Sequence, residues 1–94
     1  MRLRVTRPAL RDLESISSYI SADRPSTAAK VVAQLLDRAH GIAAHPNSGQ
    51  VTDRPTVRLV VVPQLRYRIY YSIMDDEIRI LHFRHTSRKP WLGR

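Results

Sequence analysis

The sequence predicts an α+β fold: an N-terminal strand, an antiparallel helix hairpin and a three-stranded antiparallel meander, with both helices packed on one face of the sheet. Three observations predict it. Two apolar stripes of helical period fill the first half. Three runs rich in β-branched and aromatic residues fill the second. The joints between those runs are too short for anything but an antiparallel return.

Leu3 and Val5 alternate with Arg2, Arg4 and Thr6, which suits a short strand with one buried face and a charged edge. Thr6 then caps a helix whose first turn accepts Pro8, and Ala9, Leu13, Ile16 and Ile20 form its buried stripe to about Ala22. Pro25 restarts the chain as the first residue of a second helix, carrying Ala28, Val32, Leu35, Ala39 and Ile42, and His45-Pro46 ends it. So short a joint makes the two helices antiparallel neighbours whose shared stripe needs an apolar surface to cover. Pro46 to Pro55 reads as a polar loop. The strands follow at Val57–Val62, Tyr67–Met74 and Ile78–Arg84. On the middle one, Tyr67, Ile69, Tyr71 and Ile73 share the face turned to the helices, whereas Arg66, Arg68, Tyr70, Ser72 and Met74 share the other.

The 94 residues suffice for one core, so a single domain spans 1–94. The absence of cysteine excludes a disulfide framework, a thiolate nucleophile and a Cys-ligated metal site. The longest purely apolar run, Leu59 to Val62, is far below the ~20 residues of a membrane span, and Met1-Arg-Leu-Arg is no signal peptide. A cytoplasmic protein without a membrane partner is expected. Three glycines, none in a phosphate-loop pattern, and four histidines without metal-ligand spacing predict neither nucleotide cofactor nor metal.

The formal net charge is +8, and all but Lys30 and Lys89 of the sixteen basic residues are arginine. Arginine offers a planar fork of donors suited to phosphate and carboxylate, although an arginine-writing genome also accounts for part of the bias. Arg79, Arg84, Arg88, Lys89 and Arg94 follow residue 77 with no acid among them. Antiparallel pairing brings Arg58, Arg66, Arg68, Arg84, His85, Arg88 and Lys89 towards one end of the meander. Like charges opposed on a sheet are destabilising, so such a set fits an anion site, or else a solvated face whose arginine stems cover apolar surface.

The strings Ala9-Leu-Arg-Asp-Leu-Glu-Ser-Ile, Tyr19-Ile, His45-Pro-Asn-Ser-Gly, Arg58-Leu-Val-Val, Tyr67-Arg-Ile-Tyr-Tyr and Ile80-Leu-His-Phe-Arg-His-Thr-Ser-Arg, in this order, resemble the RelE/ParE toxin superfamily. Gln50 and Arg66 depart from the family's usual basic residue and proline. The resemblance implies the toxin half of a bacterial type II toxin–antitoxin pair, held by a ParD-like antitoxin with an acidic C-terminal segment. It implies one of two targets: DNA gyrase, bound directly as by ParE-like members, or mRNA on the ribosome, cleaved as by RelE-like members. For the RNase, Arg58, Arg68, Arg84 and Arg88 supply charge stabilisation and His85 proton transfer. The RNase set is incomplete here, because Trp91 is the sole aromatic after Arg88 and no C-terminal tyrosine follows. The gyrase-directed reading is therefore favoured, with Arg84, His85, Arg88, Lys89 and Trp91 against the target and Arg58, Arg66, Arg68 and Tyr70 against the antitoxin. In that reading His85 is held by the sheet and Arg88 packs near Trp91.

Overall fold

A computed structural model describes residues 1–91. Its elements are β1 (Arg2–Val5), α1 (Arg7–Ser21), α2 (Pro25–Ala44), β2 (Gln50–Val51), β3 (Val57–Val62), β4 (Tyr67–Met74) and β5 (Glu77–His85). One five-stranded sheet runs in the order β1-β5-β4-β3-β2. The β2–β3, β3–β4 and β4–β5 pairs are antiparallel, and β1 lies parallel to β5.

Local chemistry sets the boundaries. The Thr6 side chain accepts from the Ala9 N–H and so caps α1, while its hydroxyl and its backbone N–H both donate to the Ile80 carbonyl, at 2.7 and 3.1 Å. One residue thus ends β1, starts α1 and ties both to β5. Pro25 sits at the first turn of α2, where its missing N–H costs nothing. The helices close over the sheet through Ala9, Leu13, Ile16, Leu35, Ala39 and Ile42 against Ile69, Tyr71, Ile78, Ile80 and Phe83. None of the helices among the described residues is long and apolar enough to cross a membrane.

Three features go beyond the expected architecture. The segment read as loop contains β2, whose two exposed residues pair with Leu59 and Arg58 and add a fifth strand. The β4–β5 turn is two residues long, with Asp75 and Asp76 at φ 52° and 59°, so β5 starts one residue earlier than expected. A hairpin turn with both central residues at positive φ matches the twist of its flanking strands. The third feature is a bulge: Tyr70 faces His82 and Tyr71 faces Ile80, which leaves Leu81 as an extra residue in β5. The bulge reverses the strand's parity, so that Ile78, Ile80 and Phe83 all enter the core. It also decides where the charged residues beyond it point.

Candidate functional site: the two faces of the last strand

The edge of β5 changes cover part-way along. β1 pairs only as far as Val5 with Ile80, and beyond that point Asp12 of α1 takes over. Its Oδ2 accepts from the Phe83 N–H at 3.1 Å and lies 2.8 Å from His82 Nδ1. This carboxylate satisfies a backbone donor that β1 does not reach and orients the histidine as well. The His82 ring meets Trp91 at 4.7 Å between centroids, and Trp91 stands edge-on to Tyr70 at 5.4 Å. The Trp91 backbone N–H donates to the Tyr70 hydroxyl at 3.2 Å. The tail thereby folds back over the sheet face opposite the helices, and Tyr70 is only 2% exposed. The expected antitoxin-contacting Tyr70 is thus corrected: the outer surface at this position belongs to Trp91.

On that open face Arg68 and Arg84 are directly opposed across β4 and β5. Arg68 Nη1 donates to the Thr86 carbonyl at 3.3 Å, whereas Arg84 Nε is buried without a hydrogen-bond partner among the described residues. Arg66, at φ 60°, accepts from the Thr86 N–H at 2.8 Å through its carbonyl, which leaves its side chain exposed at the turn. No carboxylate among the described residues pairs with Arg66, Arg68, Arg84, Arg88 or Lys89. The ion pairs of Arg4 and Arg79 gather instead at the other end of β5, around Glu77 and Asp75. There the hydrogen bond from Arg79 holds the Glu77 carboxyl below its ordinary range, with the charges of Arg79, Arg4 and Arg2 adding to it against desolvation.

Arg58 is not part of this group. Its Nη1 donates to the Gly49 carbonyl at 2.8 Å, next to a second tie in which the Tyr71 hydroxyl donates to the Pro46 carbonyl and accepts from the Gly49 N–H. Arg58 thus pins the loop after α2, apart from the opposed Arg68 and Arg84. His85 is separated too, because the bulge turns it to the helix side, where its ring meets Tyr67 edge-on at 5.2 Å. The Ser87 N–H donates to His85 Nδ1 at 3.1 Å, and the Ser87 hydroxyl lies 2.7 Å from the same nitrogen. Arg88 lines the same groove as His85, and Lys89 is exposed on the tail. Asp12 and His82 were not expected to matter. They lie 70 residues apart, and the bulge sets the face of β5 from which His82 meets Asp12.

Burial, then the nearby Tyr19, pushes the Tyr67 phenol above its ordinary value of 10.0. The unfolded chain consequently ionises first, and the stabilisation present below that value is lost as pH rises through the folded one. Thermal melts across the alkaline range are expected to show a falling midpoint for the native chain and a flatter profile for Tyr67→Phe.

This architecture recurs in known proteins. The chain is similar to chromosomal ParDE toxin–antitoxin system of P. aeruginosa (TM-score 0.82, 24% identity, 90% of this chain and 95% of that one). It also resembles the RelBE2 toxin–antitoxin complex of Mycobacterium tuberculosis (0.69, 21%, 89% and 95%) and the RelBE complex of E. coli (0.68, 15%, 93% and 98%). In sequence it is 35% identical over 88 residues to "Putative toxin Y4kP" of Sinorhizobium fredii, covering 94% of this chain and 91% of that protein. The family model described as "ParE toxin of type II toxin-antitoxin system, parDE" matches residues 3–90. With a sheet, a helix hairpin and a sequence that all agree, the chain belongs to the ParE toxin family of type II toxin–antitoxin systems.

Proposed function

We propose that this toxin inhibits DNA gyrase by direct contact and is neutralised by an antitoxin that combines an amphipathic helix with an acidic segment. One observation carries the choice of a contact inhibitor over an RNase: the groups such an enzyme needs together are split by the sheet. The opposed Arg68 and Arg84 occupy the open face, while His85, the candidate acid or base, sits on the helix side with Nδ1 engaged by Ser87. A general acid works within hydrogen-bond reach of the proton it transfers, and this separation of charge stabiliser from imidazole favours a contact inhibitor. The target contact then falls to Arg84, Lys89 and the half-buried Trp91, with no bond made or broken.

The antitoxin reading rests on two complementary surfaces. An open apolar trough of about 720 Å³ runs between α1 and α2, lined by Leu10, Leu13, Val32 and Leu36, and it suits the apolar stripe of a helix. The unpaired Arg66, Arg68 and Arg84 attract an acidic continuation of the same partner.

The RNase alternative has one observation in its favour, since the partnerless buried Nε of Arg84 beside Arg68 is a ready anion donor. Primer extension on a defined mRNA in a translating extract separates the two. A contact inhibitor leaves full-length products only. Codon-positioned stops that disappear in His85→Ala would establish the enzyme.

A further inference from the structure

The groove between α1 and the end of β5 is unused by this reading. It has a volume of about 400 Å³ and takes its walls from Ser15 and Tyr19 of α1, Tyr67 of β4, His85 of β5, and Ser87 and Arg88 of the following turn. A volume of this size falls within the range of small-ligand sites, roughly 300–1,000 Å³. We propose that this groove binds a phosphate monoester carried on a planar ring, the phosphate taken by Arg88, His85 and the hydroxyls and the ring stacked on Tyr19.

The polar lining is dominated by donors. His85 has Nδ1 held by the Ser87 N–H and hydroxyl, which leaves Nε2 for a ligand in the groove. Tyr67 stays protonated through the neutral range, since burial and Tyr19 both raise its ionisation. Arg88 is exposed and has no carboxylate partner among the described residues. The one acid in the lining is Asp12, whose Oδ2 is already shared by His82 and the Phe83 N–H at the groove's inner end. Several neutral donors around one guanidinium suit the oxygens of a phosphate better than the two of a carboxylate. The ring requirement comes from Tyr19. It is 83% exposed at the groove's rim, where an aromatic face with no ring partner among the described residues offers a stacking platform. This site lies across the sheet from Arg68 and Arg84, so it stands or falls independently of the gyrase reading.

Two sources supply such chemistry, a free nucleotide and the 5′-phosphorylated end of a nucleic acid. The test is an NMR titration of the full-length chain with AMP, adenosine and inorganic phosphate. AMP is expected to shift the amides of Tyr19, Ser87 and Arg88, with adenosine and phosphate each at least about tenfold weaker. Arg88→Ala and Tyr19→Ala replace exposed side chains, and each is expected to weaken AMP about tenfold or more, whereas Arg84→Ala leaves it unchanged. A 5′-phosphorylated trinucleotide binding more tightly than AMP assigns the nucleic-acid end as the source, and the reverse order assigns the free nucleotide. The proposal is overturned if millimolar AMP leaves these amides unmoved, if phosphate alone matches AMP, or if Arg84→Ala abolishes binding that Arg88→Ala retains.

Discussion

Gly49→Ala is expected to destabilise the domain by about 3 kcal/mol, read as a fall in the denaturant midpoint at unchanged slope. A methyl placed at Gly49 lies 2.6 Å from the Tyr71 hydroxyl and 2.7 Å from its ring. Tyr71 is completely buried in the core between β3 and β5, so the ring has nowhere to retreat. The substitution therefore combines overpacking with loss of the hydrogen bonds by which Tyr71 holds Gly49 and Pro46. Tyr71→Phe separates these components. It keeps the ring but leaves a buried N–H without its acceptor, and about 1–2 kcal/mol is expected. Both variants free the loop that Arg58 also grips, so β2 should lose hydrogen-exchange protection before β3 does.

Asp12→Ala comes next in size, at about 2–3 kcal/mol, because it strips both the Phe83 N–H and His82 of one acceptor. Asp12→Asn keeps an acceptor oxygen without the charge and should recover about half. The effect also has a local readout. Trp91 is the only tryptophan, and it packs on the His82 ring that Asp12 orients. Its emission should shift to the red in Asp12→Ala as the tail lifts from Tyr70, while Asp12→Asn stays near the native spectrum. A stable Asp12→Ala protein with unshifted emission would mean that the tail holds itself through the Trp91–Tyr70 contacts alone.

These two sites mark where the sequence could be read and where it could not. Strands β3 and β4 are legible to the residue, because Val57–Val62 and Tyr67–Met74 are dense β-branched and aromatic runs between turn residues. The helix hairpin follows from two regular stripes and a proline at the start of the second helix. β2 is invisible since Gln50 and Val51 are both exposed and two residues establish no period. The bulge is hidden for a related reason: Ile80-Leu81 is apolar at adjacent positions, so either parity fits locally, and only packing on the helices selects the one that buries Phe83.

That hidden residue altered the site more than the fold. Antiparallel pairing places Arg68 opposite Arg84 at one end of the meander. His85 and Arg88, however, crossed to the helix side, and Arg58 turned inward to the loop carrying Gly49. The burial of Tyr70 depends on Trp91, 21 residues further along, a contact no local pattern encodes. Charge shows a similar division. The carboxylates of Asp75 and Glu77 serve the arginines at one end of β5, so among the described residues Arg66, Arg68, Arg84, Arg88 and Lys89 at the other end have no carboxylate partner.

The central claim is that this protein acts on its target by contact through that unpaired end. Supercoiling of relaxed plasmid by purified DNA gyrase, titrated with the purified chain, tests it most directly. The expected result is inhibition that saturates with toxin, weakens in Arg84→Ala and disappears when the cognate antitoxin is added. Unchanged supercoiling at saturating toxin would contradict it.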